Sequence, residues 1–239
     1  MVQTGHIVWF GSNADLRTTL AVFPTSLGWM ACCWESDFVA ALTFGHASAE
    51  LARDCLVRVV PQTISESSWK READYEPTDS QADLLRRLAD YADGTVDDFR
   101  DVKIRLEGMT PFQRKVISCC RKIDWGKTTS YGDLAKQAGR PGAARAVGSV
   151  MAQNRFPLVV PCHRVVGSQG NLCGFSAPDG TVMKRRLLER EGAIARRSEE
   201  RNNEDHGREG YFREDHRHED CGQQPPRPRI DNSAPSGRQ

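Results

Sequence analysis

Residues 157–176 read PLVVPCHRVVGSQGNLCGFS, and the stretch organises everything on either side of it. FPLVVP, which follows Asn154 and Arg155, is a wholly apolar run punctuated by prolines and predicts a short buried strand. Cys162 and His163 stand at its exit, ahead of a glycine-rich loop from Gly167 to Gly180. Loops at strand ends are where sites are built. The thiol has two readings. A buried cysteine is commonly a small packed hydrophobe. A nucleophilic one needs a base, a partner to orient that base and a shaped pocket. Cys162, His163 and the glycine-rich wall supply most of this, with Glu191 downstream. Adjacent side chains on extended chain point to opposite sides. His163 would therefore reach the thiol through a bridging water or a bend at the strand end, and spacing alone leaves both readings open.

The flanking segments have a dense helix grammar. In TPFQRKVISCCRKI, Thr110 is an N-cap, Pro111 the first helical residue and Gln113 the second half of a capping box. Phe112, Val116, Ile117 and Cys120 form its apolar stripe, which assigns Cys120 to the core. SYGDLAKQAG repeats the device with Ser130, Asp133 and a terminating Gly139. PGAARAVGSVMAQN reads as a helix starting at Pro141, and the two short helices read as a helix-turn-helix. Ala143, Ala144, Ala146, Gly148 and Ser149 are small, with Arg145 among them. Such a face suits tight helix packing or, equally, close approach to a DNA groove with one arginine reaching in. TVMKRRLLEREG is a basic helix ending at Gly192, with Glu191 in its last turn.

Toward the N-terminus, IVWFG, GWMACCWESDFVAALTFG and CLVRVVP predict strands of a small sheet, with SAELARD as a short helix. SQADLLRRLADYADG predicts a helix over 80–94 with Leu84, Leu85, Leu88, Tyr91 and Ala92 on one face. After Ala195 aliphatic residues almost vanish and only Ile230 stands alone, so the tail buries too little to offset its ordering entropy and is expected to be disordered.

The net charge of +1 hides an asymmetry: between Glu107 and Ile194, fourteen Lys and Arg face six Asp and Glu. A basic half suits either a polyanionic partner such as nucleic acid or a solvated surface. Of eight cysteines, two pairs are adjacent, and no CxxC or Cys/His zinc spacing occurs. That pattern fits a reducing compartment. Without a leader-like or membrane-length apolar run, the expectation is a cytoplasmic protein, nuclear if eukaryotic, with no membrane association.

The segment VVPCHRVVGSQGNLCGFS resembles the active-site region of the O6-alkylguanine-DNA alkyltransferases, also called methylated-DNA–protein-cysteine methyltransferases. PFQRKV, TTSYGDLA, AARAVGSVMAQN and LLEREG follow the same family in order and spacing, covering roughly residues 108 to 194. GWMACCWESDFVAALTFGHAS is similar to its N-terminal domain more loosely. The resemblance implies an α+β fold: a ribonuclease-H-like sheet domain (1–105), a helical, winged-helix-like DNA-binding catalytic domain with the helix-turn-helix (106–195), and a disordered tail (196–239). It implies direct-reversal DNA repair in which Cys162 takes the alkyl group from O6 of guanine once and irreversibly.

By the same resemblance His163 deprotonates Cys162 through a water, Glu191 orients His163, and Asn154 holds the turn beside the site. Tyr131 assists departure of guanine and helps rotate the phosphate aside. Arg145 enters the stack vacated by the flipped nucleotide, while Ala144 and Gly148 lie on the helix facing the minor groove. Ser176 bonds O6, the backbone at Cys162 and Val165 reads the exocyclic amine, and Lys184 has a counterpart in the family. The implied partner is double-stranded DNA containing O6-alkylguanine. The protein is expected to act as a monomer, cooperative on DNA or not, with no cofactor and no metal. Cys173 departs from the pattern where relatives often have a small residue, and the tail is an addition. The competing readings are an alkyltransferase-like binder without transfer activity, a helix-turn-helix regulator with a structural cysteine, and a cysteine hydrolase. Relatives of the first kind commonly place tryptophan where Cys162 stands.

Overall fold

In strand β2 (Thr18–Thr25), Leu20 and Val22 turn to one face of a sheet while Ala21 and Phe23 turn to the other, and all four are buried. The computed structural model describes residues 7–12, 18–60, 69–71 and 75–195, which all fall within the unit Met1–Glu199. Among these, β1 (Val8–Ser12), β2, β3 (Gly28–Glu35), β4 (Phe38–His46) and β5 (Trp69–Arg71) form an antiparallel sheet of order β4-β3-β2-β1-β5. Both faces of its central strands are covered, so these strands are apolar at nearly every position rather than alternating. In β3, Met30, Cys32 and Trp34 enter the larger core while Ala31 and Cys33 enter the smaller. Cys32 and Cys33 therefore lie on opposite faces as free thiols, and burial pushes Cys33 up to about 12.

Helix α1 (Ala49–Val59) covers the smaller core with Ala52 and Leu56. This corrects the strand expected at CLVRVVP, whose residues 55–59 are helical. Ser48 caps the helix, its hydroxyl accepting from the Leu51 amide at 3.3 Å. Ala52 and Leu56, four apart, then fall on one buried face, and that packing outweighs the strand preference of the valines. Strands β2 and β5 are additions to those expected. Helix α2 (Asp79–Ala92) lies over the larger core through Leu84, Leu85, Leu88, Tyr91 and Ala92, the face expected from its sequence. It is closed by a Thr78–Gln81 capping box and followed by Gly94 at φ +105.

The C-terminal half contains α3 (Pro111–Cys120), β6 (Thr129–Ser130), α4 (Tyr131–Gln137), α5 (Ala144–Ala152), β7 (Val165–Val166) and α6 (Gly180–Arg190). The caps of α3 and α4 are those expected: Gln113 accepts from the Thr110 amide at 2.8 Å, and Ser130 accepts from the Asp133 amide at 3.0 Å. Cys120 is core. The helix expected from Pro141 begins instead at Ala144. Gly142 stands at φ +84, outside helical backbone, and residues 140–143 close a turn through the Ala143 amide and Arg140 carbonyl at 3.2 Å. Leu134 and Ala135 of α4 and Val147, Val150 and Met151 of α5 share the larger core.

The two halves are sewn together along β4. Val39 donates to the Lys103 carbonyl at 2.9 Å and accepts from the Arg105 amide at 2.8 Å, while the Leu42 amide donates to the Arg155 carbonyl at 2.8 Å. The fold is thus mixed α+β, an antiparallel sheet with helices. Among the described residues no helix is long and apolar enough to cross a membrane. The tail at 196–239 lies outside the described residues.

Two glycines separate strain from sterics. Gly28 at φ +100 and Gly94 at φ +105 share a conformation that L side chains rarely adopt. A Cβ at Gly28 would also meet the His46 carbonyl oxygen at 2.9 Å, whereas one at Gly94 meets nothing within 4 Å. Gly94→Ala is expected to cost about 1–2 kcal/mol, and Gly28→Ala more by at least ~1 kcal/mol, as read by urea denaturation. Equal losses would contradict the packing of the β2–β3 turn on His46.

Candidate active site

The run before Cys162 is buried but is not a strand, which corrects the expectation for FPLVVP. Phe156, Leu158, Val159 and Val160 are all buried, yet the chain doubles back. The Val160 amide donates to the Phe156 carbonyl and the Cys162 amide to the Val160 carbonyl, each at 2.7 Å. Pro157 and Pro161 bring no amide hydrogens to a strand ladder. Asn154 supplies the missing partners, its Nδ2 donating to the Val160 carbonyl and its Oδ1 accepting from the Phe156 amide, both at 3.0 Å. Cys162–Arg164 then form one 3₁₀ turn, closed by the Arg164 amide on the Pro161 carbonyl at 2.9 Å. The bend needed at the strand end is therefore the segment itself.

Inside this turn Cys162, His163 and Arg164 are 5%, 0% and 1% exposed. Glu191, the residue that ends α6, accepts at Oε1 from His163 Nε2 at 2.9 Å, Arg164 Nη2 at 2.8 Å and the Tyr91 hydroxyl at 2.7 Å. Its Oε2 accepts from Arg164 Nε at 2.8 Å, and Arg164 Nη1 donates to the Ile123 carbonyl at 2.7 Å. Burial pushes the Glu191 carboxyl up, but the hydrogen bonds and charges of His163 and Arg164 outweigh it and hold the group at about 2. Burial lowers His163 below its ordinary value against the pull of Glu191, so the imidazole is neutral at physiological pH. Facing an ionised carboxylate, Nε2 carries the ring proton and Nδ1 the lone pair. Nδ1 is buried and, among the described residues, has no hydrogen-bond partner. Burial also raises the Cys162 thiol, opposed by an Asn154 hydrogen bond and by the charge of Lys184. A neutral thiol and a neutral imidazole thus share the site at rest.

Two further predicted residues join them. β6 pairs in parallel with β7, Thr129 with Val165 and Ser130 with Val166, which brings Tyr131 at the start of α4 beside the turn. Lys184 of α6 is fully buried, donates from Nζ to the Val165 carbonyl at 2.6 Å and the Cys173 carbonyl at 3.2 Å, and lies 5.8 Å from the Tyr131 ring centroid. It ties the glycine-rich loop to the strand that follows Cys162. Arg145 is exposed on α5, Ala144 and Gly148 are half-buried there, and Ser176 is exposed in the loop. Among the described residues nothing requires Gly148 to be small, because a Cβ there would meet nothing within 4 Å. Two surface clefts, of about 480 and 740 Å³, are lined by other residues than Cys162.

Arg164 and Tyr91 were not among the expected site residues. Arg164 stands inside the quoted PCHR, where nothing in the local sequence pairs it with Glu191. Tyr91 was assigned by periodicity to the apolar face of α2, where its ring does lie; no sequence signal marks its hydroxyl.

Comparison with known proteins gives the same region a family. Residues 111–193 match the model of the 6-O-methylguanine DNA methyltransferase DNA-binding domain. A methylated-DNA–protein-cysteine methyltransferase of Mycolicibacterium paratuberculosis is 39% identical over 134 residues, spanning 55% of this chain and 76% of that protein. The chain belongs to the methylated-DNA–protein-cysteine methyltransferase family. The family's Salmonella typhimurium protein is 46% identical over 111 residues, but the match spans only 63% of its length and 46% of this chain. A family structure, Mycobacterium tuberculosis OGT in complex with DNA, is 29% identical with a TM-score of 0.53, covering 72% of this chain and 91% of that one.

Removing one partner of a buried ion pair strands the other charge. Glu191→Gln is expected to cost about 3–5 kcal/mol at pH 7, measured by urea unfolding. Adding Arg164→Met should restore part of that loss, since the two groups act as one unit. Additive losses would show that the pair is not coupled.

Proposed function

We propose that this chain is a direct-reversal DNA repair protein that transfers the alkyl group from O6 of a damaged guanine to Cys162, once per molecule and irreversibly. The observation that carries the reading is the unpartnered Nδ1 of a buried, neutral His163, the residue that follows Cys162 in the same 3₁₀ turn, whose other nitrogen is engaged by Glu191. A DNA-binding module with an inert thiol has no use for that pair.

The step balances with the thiol and the alkylated base alone. His163 Nδ1 takes the Cys162 proton through a water, the thiolate sulfur forms a bond to the alkyl carbon, and the C–O6 bond breaks with its electrons passing to guanine. Tyr131 donates toward the ring nitrogen as guanine departs, and the proton held on His163 restores the balance. The product thioether has no easy leaving route, which accounts for a single turnover. Burial raises the resting thiol, so a base is needed to take its proton, the role His163 fills.

The target atom lies inside a duplex, so the base must be flipped out. In this reading α4 and α5 form the helix-turn-helix of a winged-helix-like domain (106–195). The outward small residues Ala144 and Gly148 approach the minor groove, and the exposed Arg145 fills the vacated stack. Ser176 meets O6, and Lys184 holds the loop that carries it. The backbone at Cys162 and Val165 reads the exocyclic amine; the Val165 carbonyl, already accepting from Lys184, keeps a second lone pair for it. Residues 1–105 serve as a ribonuclease-H-like supporting domain. The protein works as a monomer wherever DNA is held, in the cytoplasm or, in a eukaryote, the nucleus.

Incubation with excess O6-methylguanine duplex should add one methyl group per chain, located on the Cys162 peptide by mass spectrometry and absent from Cys162→Ala. A methyl on another cysteine, or several turnovers per chain, would overturn the mechanism. Gly148→Leu is expected to leave thermal stability intact and weaken duplex binding by about 1–2 kcal/mol. Arg145→Ala should slow repair of duplex DNA far more than reaction with free O6-benzylguanine; equal losses would assign Arg145 to folding.

A further inference from the structure

Tyr91 enters the site from α2, outside residues 111–193, which match the DNA-binding-domain model. Its hydroxyl donates to Glu191 Oε1 at 2.7 Å and its oxygen lies 3.3 Å from His163 Nε2. The ring is clamped between Phe99 at 5.6 Å and Trp125 at 5.3 Å, the latter edge-on at 80°. A phenol has one proton, and here it points to the carboxylate. What Tyr91 presents to Nε2 is therefore lone-pair density, as does Glu191. Two acceptors converge on one ring nitrogen.

We propose that Tyr91 is a positioning residue for the transfer reaction: with Glu191 it holds His163 in the tautomer that carries its proton on Nε2, leaving the lone pair on Nδ1. The inference rests on the alkyl-transfer reading for its kinetic consequence, while the tautomer itself follows from the contacts. Glu191 alone would orient the ring, but a carboxylate also stabilises imidazolium, the state in which the base is spent. The Tyr91 proton shares the charge of Oε1 and restrains that effect. Burial keeps the phenol itself protonated, with the Glu191 charge acting in the same direction.

The charged and titratable groups around the imidazole come from several elements. Arg164 and Cys162 belong to its own turn, Glu191 and Lys184 to α6 and its end, and Tyr91 to α2. Cys120 of α3 is close enough to Cys162 and Arg164 to interact with them electrostatically. Among these, Tyr91 and Glu191 are the groups within hydrogen-bond reach of Nε2. Arg164 and Lys184 repel a ring proton. Loss of the phenol leaves Oε1 with two donors and more negative charge, so the imidazolium becomes easier to form.

The test uses the full chain with Tyr91→Phe and, separately, 3-fluorotyrosine at position 91, whose more acidic hydroxyl is a stronger donor. Ring ¹⁵N shifts of His163 are followed with pH, together with single-turnover transfer rates. In Tyr91→Phe the His163 titration and the acid limb of the rate profile should both rise by about half to one pH unit. Well below the limb, that is about tenfold slower transfer per unit. The fluorinated residue should move both in the opposite direction. Ring signals and acid limb unchanged in both variants, with only a lower melting temperature in Tyr91→Phe, would overturn the proposal and leave Tyr91 a packing residue. If the unmodified chain transfers no alkyl group, the functional reading fails while the ring signals still decide the role of Tyr91.

Discussion

Glu191 is a carboxylate with no exposed side chain, and an unpaired charge there would cost several kcal/mol, a large share of a domain's folding free energy. It is tolerable because four hydrogen bonds reach it: His163, Arg164 and Tyr91 at one oxygen and Arg164 again at the other. The donors come from α2 and from the turn after FPLVVP, and Arg164 extends the knot to the Ile123 carbonyl beyond α3. The end of α6, the helix of the N-terminal half and the Cys162 turn are thereby fixed to one point. Such pairs are not efficient sources of stability. Their value here is in the register they impose on His163.

Everything else at the site is arranged around that register. Asn154 makes the two-proline segment bend, which places Cys162 and His163 on a turn instead of on opposite sides of a strand. Lys184 joins the Val165 and Cys173 carbonyls, so the glycine-rich loop is held where a flexible segment would otherwise wander. The parallel pairing of β6 with β7 carries Tyr131 to the same place. Among the described residues, a polar centre this well satisfied leaves one buried atom without a partner on the histidine, its Nδ1. The small residues Ala144 and Gly148 of α5, half-buried, stand apart from this cluster.

Much of this was legible in the sequence because the signals were local. The caps Thr110 and Ser130, the apolar face of α2 and the glycine stops follow from short-range rules, and the structure has them all. The family resemblance carried by PCHR and AARAVGSVMAQN singled out Cys162, His163 and Asn154, and the α6 pattern placed Glu191 at its end. What failed depended on distant partners. Residues 55–59 look like strand until Ala52 and Leu56 are packed against a sheet. FPLVVP looks like strand until Asn154 supplies hydrogen bonds that the prolines cannot. The alternation of β2 is hidden because both of its faces are covered. Tyr91 and Arg164 become part of the site only when helices far apart in sequence bring Glu191 to them.

The most direct test of the central claim is a ¹³C NMR titration of the Glu191 side-chain carboxyl in the folded chain. The expected result is a carboxylate that stays ionised as the pH falls through its ordinary value of 4.5 and takes a proton only toward about 2. A depressed value of this kind contributes stability that is present above 4.5 and lost as the pH falls toward 2, so acid unfolding should follow the same event. A Glu191 carboxyl that titrates near 4.5 in the folded protein would mean that its donors do not hold it, and the account of His163 and Cys162 would fall with it.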